Sequence, residues 1–116
     1  MDKIVITNLE VWARIGVPDE ERAKPQKLLV SVELGTDFSE AAASDDLSHT
    51  IDYDGFCRSV RAMFQNSRWK LLETVAVEIA QKGIVEFGAI FAAVEIKKFI
   101  IPQTQWVGVR IERNKV

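Results

Sequence analysis

Lys98, Glu73, Tyr53 and Glu21 are the side chains in this sequence whose types and settings could do acid–base chemistry. Lys98 closes a run, Phe91 to Lys98, in which Ala92, Val94 and Ile96 share one side while Ala93, Glu95 and Lys97 take the other. Lys98 continues the apolar series, so its stem follows buried neighbours. Burial penalises the charged form of an amine, which suits a lysine that passes a proton back and forth. The competing reading is an ammonium that snorkels to water from a strand end. Glu73 falls in the first turn of a predicted helix, beside Leu71 and Leu72. A carboxylate there can accept two parallel hydrogen bonds from an amidine-like edge, or simply complement the helix dipole. Tyr53, the only tyrosine, stands between Asp52 and Asp54 where an extended segment meets a helix start. Its hydroxyl could protonate a reacting carbon, or the ring could be a surface aromatic. Glu21 follows a turn at Gly16 and, alone, reads as a solvated loop acid. His49 and Cys57 lack a visible triad partner and take structural roles. Trp12, Trp69 and Trp106 read as packing or interface residues.

These side chains need elements to position them. Ile4 and Ile6, then Leu9, Val11, Ala13 and Ile15, alternate as a strand does, with a phase slip that predicts a bulge near Thr7-Asn8. Gly16-Val17-Pro18-Asp19 marks a turn. A second strand runs from Lys27 to Phe38, with Leu28, Val30, Val32 and Leu34 on one face. The two form an antiparallel hairpin with an acidic connection. Residues 39–50 read as a short helix or loop. Asp54 is placed to cap a helix whose stripe is Phe56, Val60, Met63 and Phe64. Asn66-Ser67-Arg68 breaks it. A second helix spans Lys70 to about Phe87, with Gly88 as its stop. Phe91 to Lys98 and Gln105 to Arg113 supply two more strands around an irregular connection. The order strand, strand, helix, helix, strand, strand predicts an α+β domain over residues 1–116: a four-stranded antiparallel sheet with two helices packed on one face. The other face needs a cover, which copies of the same chain could supply.

Length and composition narrow the function. The chain has 116 residues, 47% of them hydrophobic and 28% charged, ordinary for one globular domain. Fifteen basic residues oppose seventeen acidic ones. No Lys/Arg cluster makes a phosphate-binding stripe, so nucleic acid is not an expected partner. One cysteine allows no internal disulfide and fits a reducing, cytoplasmic setting. The start, Met1-Asp2-Lys3-Ile4-Val5-Ile6, runs into a strand pattern without a signal-peptide region. No apolar run approaches the roughly 20 residues that span a bilayer, so no membrane partner is expected. One histidine and one cysteine are too few for a thiolate or imidazole metal cage.

Several segments, taken in order, resemble the signature stretches of the dihydroneopterin aldolase family. They are Ile15-Gly16-Val17-Pro18-Asp19-Glu20-Glu21, Ile51-Asp52-Tyr53, Leu71-Leu72-Glu73, Val94-Glu95-Ile96-Lys97-Lys98 and Val107-Gly108-Val109-Arg110-Ile111-Glu112-Arg113. Pro25-Gln26-Lys27 and Ser44-Asp45-Asp46 add to the set. No single motif is specific; the ordered set across nearly the whole chain is. The resemblance implies the tunnelling fold, in which sheets of several subunits join into a barrel, as a tetramer or a stacked octamer with active sites between subunits. It also implies retro-aldol cleavage of 7,8-dihydroneopterin, a pterin, to 6-hydroxymethyl-7,8-dihydropterin and glycolaldehyde. Carried over by position, Glu73 grips the guanidine-like edge of the pterin, helped by backbone groups around Asp52 and Leu72. Lys98 manages the proton of the side-chain hydroxyl through a water. Tyr53 protonates the enamine-like intermediate, and Glu21 orients hydroxyls or tunes the lysine. The ring imine of the substrate is the electron sink, so no cofactor and no metal are called for.

One departure bears on the lysine. Family members often carry proline after it, whereas Phe99 follows Lys98 here. Counting back from Val107 favours Lys97 instead; strand alternation favours Lys98. The missing proline also resembles the related dihydroneopterin triphosphate epimerase, whose substrate would need basic side chains such as Arg14, Arg22, Lys24 and Arg68. A third reading is a non-catalytic, pterin-binding oligomer with the same fold.

Overall fold

A computed structural model describes residues 1–116. Strand β1 (Asp2–Ile15) leads through a one-turn helix, α1 (Asp19–Arg22), into β2 (Gln26–Thr36). A short helix, α2 (Ser39–Ser44), and a 3-10 turn at Leu47–His49 precede α3 (Tyr53–Met63). A two-residue strand, β3 (Arg68–Trp69), joins α3 to α4 (Leu72–Gln81), whose last turn widens into a π-turn at Lys82–Glu86. Strands β4 (Phe91–Lys98) and β5 (Val107–Asn114) complete the chain. No helix is long and apolar enough to cross a membrane.

The α+β class is as expected, but the sheet has five strands in the order β3-β1-β2-β4-β5 rather than four. Four pair antiparallel. The fifth, β3, runs parallel to the end of β1, with Arg14 opposite Arg68 and Ile15 opposite Trp69. Its cause is local. Asn66-Ser67 ends the helical run, Trp69 buries its indole against Phe64 with ring centroids 5.2 Å apart, and the Trp69 carbonyl accepts the Gly16 N–H at 3.0 Å. That extended pairing also delays α4 to Leu72, two residues after the expected start at Lys70.

Alternation decides what is buried. Leu28, Val30, Val32 and Leu34 of β2, and Ala92, Val94 and Ile96 of β4, face α3 and α4 and are almost fully buried. Phe56, Val60, Val75, Ile79 and Ala80 come down from the helices to meet them. The register of β1 on β2 shifts between Ile6 and Leu9. There Asn8 takes φ 55°, a left-handed conformation that asparagine tolerates well, so the expected bulge is present. Gly88, at φ 80°, ends the helical run as expected. The cap of α3 is Asp52, not Asp54: the Asp52 carboxylate accepts the Gly55 N–H at 3.0 Å. Asp54 lies inside the first turn and pairs with Arg58 at 3.3 Å.

The sheet face away from the helices is open. Val5, Ser31, Glu33, Ala93, Glu95, Lys97 and Arg110 line a shallow groove of about 410 Å³ there. Two sheet edges are also open: β5 on one side, and most of β1 on the other, since β3 covers only its last two residues.

Candidate active site

At the β1–β2 turn two of the expected groups meet within one chain. Lys98 ends β4 on its buried side, opposite Leu28, so its stem leaves the sheet toward the helix layer. Glu21 comes from α1 above the turn. The Lys98 ammonium and the Glu21 Oε2 are 2.6 Å apart, with only 12% and 19% of the two side chains exposed. Such an ion pair is shielded from water, and shielding strengthens it. Burial pushes the Glu21 pKa up, but hydrogen bonds from Lys98 and Gln26 and the charge of Lys98 together bring it below the usual 4.5. The carboxylate is therefore ionised and aligned on the amine.

Gly16 and Gln26 make that arrangement possible. Gly16 sits at φ 149°, and a methyl on its α-carbon would overlap the Glu21 carboxylate. Only glycine meets both conditions. The Gln26 side-chain amide donates to the Ile15 carbonyl at 2.9 Å and to Glu21 Oε2 at 3.1 Å. Sequence reasoning assigned neither residue a part in the site. The signal was present in the Gly16 turn and in Pro25-Gln26-Lys27, but its meaning depends on closure of the hairpin.

Glu73 belongs to the same end of the molecule. The Gly16-to-Trp69 hydrogen bond fastens β3 to the turn, and α4 begins three residues later. Its N-terminal cap position, Leu71, offers no side-chain hydrogen bond. The first N–H groups of α4, around Leu72, are thus open to an acceptor. Glu73 is exposed in that first turn, where a carboxylate is favoured by the helix dipole.

Tyr53 and Asp52 lie elsewhere. Phe56, one turn into α3, and Leu34 both approach Gly83, and Phe56 stacks edge-on to Phe87 at 5.4 Å. The N-terminus of α3 therefore stands at the Leu34 end of the sheet, while its C-terminus reaches Trp69 through Phe64. Lys98 is level with Leu28, and the strand from Leu28 to Leu34 covers about 20 Å. Tyr53, 59% exposed, is at the opposite end from Lys98 of its own chain. The Asp52 side chain is committed to capping α3, which leaves its backbone for other work.

The remaining charged groups separate cleanly. Lys97 points to the open face, where it donates to Asn8 Oδ1 at 3.2 Å and lies 5.1 Å from the Trp106 ring centre. It is remote in direction from Glu21, and the large groove that it lines is not where the Glu21–Lys98 pair sits. Arg14 donates to the Arg22 and Ala23 carbonyls. Arg22 donates to the Gly16 and Val17 carbonyls and to Asp19. Both arginines hold the turn together. His49 accepts or donates at Ser44 Oγ, 2.8 Å away, on the exposed α2 segment.

Comparison with known proteins finds a family and close folds. The family model described as FolB, dihydroneopterin aldolase, matches residues 4–112. The dihydroneopterin aldolase of Escherichia coli is 32% identical over 115 residues, covering 98% of this chain and 94% of that protein. The folic acid synthesis protein of Dictyostelium discoideum is 33% identical over 98% of this chain, which spans only 18% of that much longer protein. Among solved structures, the Escherichia coli aldolase in complex with neopterin superposes with a TM-score of 0.93, covering 98% of this chain and all of that one (100%). A Burkholderia thailendensis dihydroneopterin aldolase bound to guanine is similar at a TM-score of 0.82 and 25% identity, covering 99% and 92% of the two chains.

Proposed function

This chain belongs to the dihydroneopterin aldolase family, and from that membership we propose how its own residues carry out the reaction. The enzyme is a lyase of folate biosynthesis. It cleaves 7,8-dihydroneopterin by retro-aldol reaction to 6-hydroxymethyl-7,8-dihydropterin and glycolaldehyde. The observation that carries the mechanism is the shielded Glu21–Lys98 pair.

Glu73 accepts two hydrogen bonds from the 2-amino and N3 edge of the pterin, and backbone groups near Leu72 and Asp52 complete the grip. The hydroxyl next to the scissile bond then faces Lys98. As the carbon–carbon bond breaks, Lys98 in its neutral form takes the hydroxyl proton through a water and becomes the ammonium that Glu21 holds, and the electron pair flows into the ring imine of the substrate. That step releases glycolaldehyde and leaves an enamine-like pterin. Tyr53 gives a proton to its carbon, and the proton held by Lys98 then passes through water to restore the Tyr53 hydroxyl. Glu21 orients the hydroxyls and holds Lys98. The substrate supplies its own electron sink, so the chemistry needs no Schiff base and no cofactor.

Tyr53 and Lys98 serve one substrate only if they come from different copies. The open edges along β1 and β5 support such an assembly, because edge strands are usually covered or paired. The sheets of several subunits then continue into a barrel, as a tetramer or octamer, with each site at a seam. The whole chain acts as one domain, and its lone thiol, Cys57, suits the cytoplasm.

Purified protein incubated with 7,8-dihydroneopterin should release glycolaldehyde and 6-hydroxymethyl-7,8-dihydropterin in equal amounts. A folded oligomer that binds the pterin and releases neither product overturns the reading. Strong preference for the triphosphate substrate would instead favour the epimerase, a reading weakened by the use of Arg14 and Arg22 as turn braces.

A further inference from the structure

Resting on that reading, we propose that Gln26 is the positioning residue of the site, the group that fixes Glu21 against Lys98 and sets that pair at a constant distance from the Glu73 clamp. Glu21 needs such a brace. It comes from a four-residue helix whose N-cap, Pro18, makes no side-chain hydrogen bond, and so short a helix holds its own shape weakly. A glutamate has several rotatable bonds, and fixing them costs entropy that specific contacts must offset. Two contacts converge on one atom. Glu21 Oε2 accepts the Gln26 amide at 3.1 Å and faces the Lys98 ammonium at 2.6 Å. Glu21 Oε1 lies over Gly16 and is left to accept a substrate hydroxyl.

Gln26 can act as a brace because it is itself held. It is the first residue of β2, paired with Ala13 across the hairpin, and partly buried. Both hydrogens of its amide are engaged, one on Glu21 and the other on the Ile15 carbonyl at 2.9 Å. The next residue after Ile15, Gly16, donates to the Trp69 carbonyl, and Trp69 precedes the uncapped start of α4 that carries Glu73. A path of three hydrogen bonds reaching Trp69, and from there the short chain segment into α4, therefore links the acid–base pair to the residue that grips the ring. A glutamine suits this place better than a charged residue. A lysine would compete with Lys98 for the carboxylate, and a glutamate would repel it.

The test uses the full-length oligomer with 7,8-dihydroneopterin. Gln26→Met keeps the length of the side chain and removes its donors. The expected result is a fall in kcat of about 10²-fold, the scale of a misplaced catalytic group, with KM little changed. The acid limb of the pH–rate profile should also move up, because one hydrogen bond favouring the ionised carboxylate is gone. Gln26→Glu should move that limb further. In a Glu21→Ala background, adding Gln26→Met should lower kcat no more, because groups acting through one another are not additive. Losses that add, an unmoved acid limb, or a rise in KM alone would overturn the proposal. If both single variants failed to fold, Gln26 would belong to the hairpin frame and the proposal would fall as well. A wild-type protein without aldolase activity would instead refute the functional reading itself.

Discussion

The two ends of the sheet are built differently. At the end near Gly16 the chain gathers Glu21, Lys98, Gln26 and Gly16 into one braced cluster, with Glu21 Oε2 held by both Lys98 and Gln26. At the end near Leu34, Tyr53 stands 59% exposed, with no hydrogen bond to its hydroxyl in the chain. The first end is preorganised, which is how sites supply electrostatic stabilisation without reorganising during reaction. The second presents an exposed hydroxyl without a partner in the chain. On the proposed roles, the sheet length of about 20 Å between the Lys98 end and the Tyr53 end is bridged only if another copy of the chain brings its Tyr53 to this Lys98.

Mixing two inactive proteins would break or sharpen this comparison most severely. Lys98→Ala and Tyr53→Phe each remove a positioned acid–base group, so each should lose about 10²- to 10⁴-fold in kcat. If the halves of a site come from different chains, oligomers reassembled from a mixture of the two variants contain some seams with both halves intact. Activity in the mixture should then rise well above that of either variant alone. A mixture as inactive as its components, with mixed oligomers shown by mass spectrometry, would place both residues in one chain's site and defeat the proposed seam.

The two ends also differ in how far the sequence discloses them. Period-two alternation separates Lys98 from Lys97, since a step of one residue reverses the face, and the structure turns the first toward Glu21 and the second toward Asn8. The bulge at Asn8 shows as a phase slip for the same reason. The β3 strand is different. Arg68–Trp69 is too short to carry any period, and its pairing depends on Trp69 packing on Phe64 and finding Gly16, which is far away in sequence. The Asp52 cap was hidden because Asp52 and Asp54 are both good capping types; the choice rests on Asp52 alone having non-helical angles, φ −75° and ψ 88°. Tyr53's distance from Lys98 follows from tracing direction: β2 runs away from Lys98 to Thr36, which pairs with Asp2, and α3 begins at that far end.

A smaller effect is expected from pH at the braced end. The folded-state pKa of Glu21 lies below its usual 4.5, so its pairing with Lys98 contributes stability that is fully present above the unfolded value and fades as pH falls through the folded one. Melting temperatures measured from pH 7 down toward pH 3 should decline less steeply for Glu21→Gln than for wild type, because the variant has no charge to lose there. Parallel curves would mean that the pair does not couple to folding. Gly16→Ala should destabilise the same end by about 1–3 kcal/mol through its backbone angle, and should lower kcat as well by displacing Glu21. A loss of stability with unchanged kcat would show that Glu21 can move without consequence.

The smallest effect belongs to Asp52, and it tests whether that side chain is structural. A capping carboxylate works as a hydrogen-bond acceptor, and its charge is incidental. Asp52→Asn should therefore leave stability nearly unchanged, whereas Asp52→Ala should cost about 1 kcal/mol, read as a lower denaturant midpoint at constant slope. The braced end should behave in the opposite way: Glu21→Gln keeps an acceptor but loses the charge, and kcat should fall as it does for Glu21→Ala. A large loss of activity in a stable Asp52→Asn protein would reverse the comparison, because the charge at the far end would then act on substrate and not only hold the start of α3.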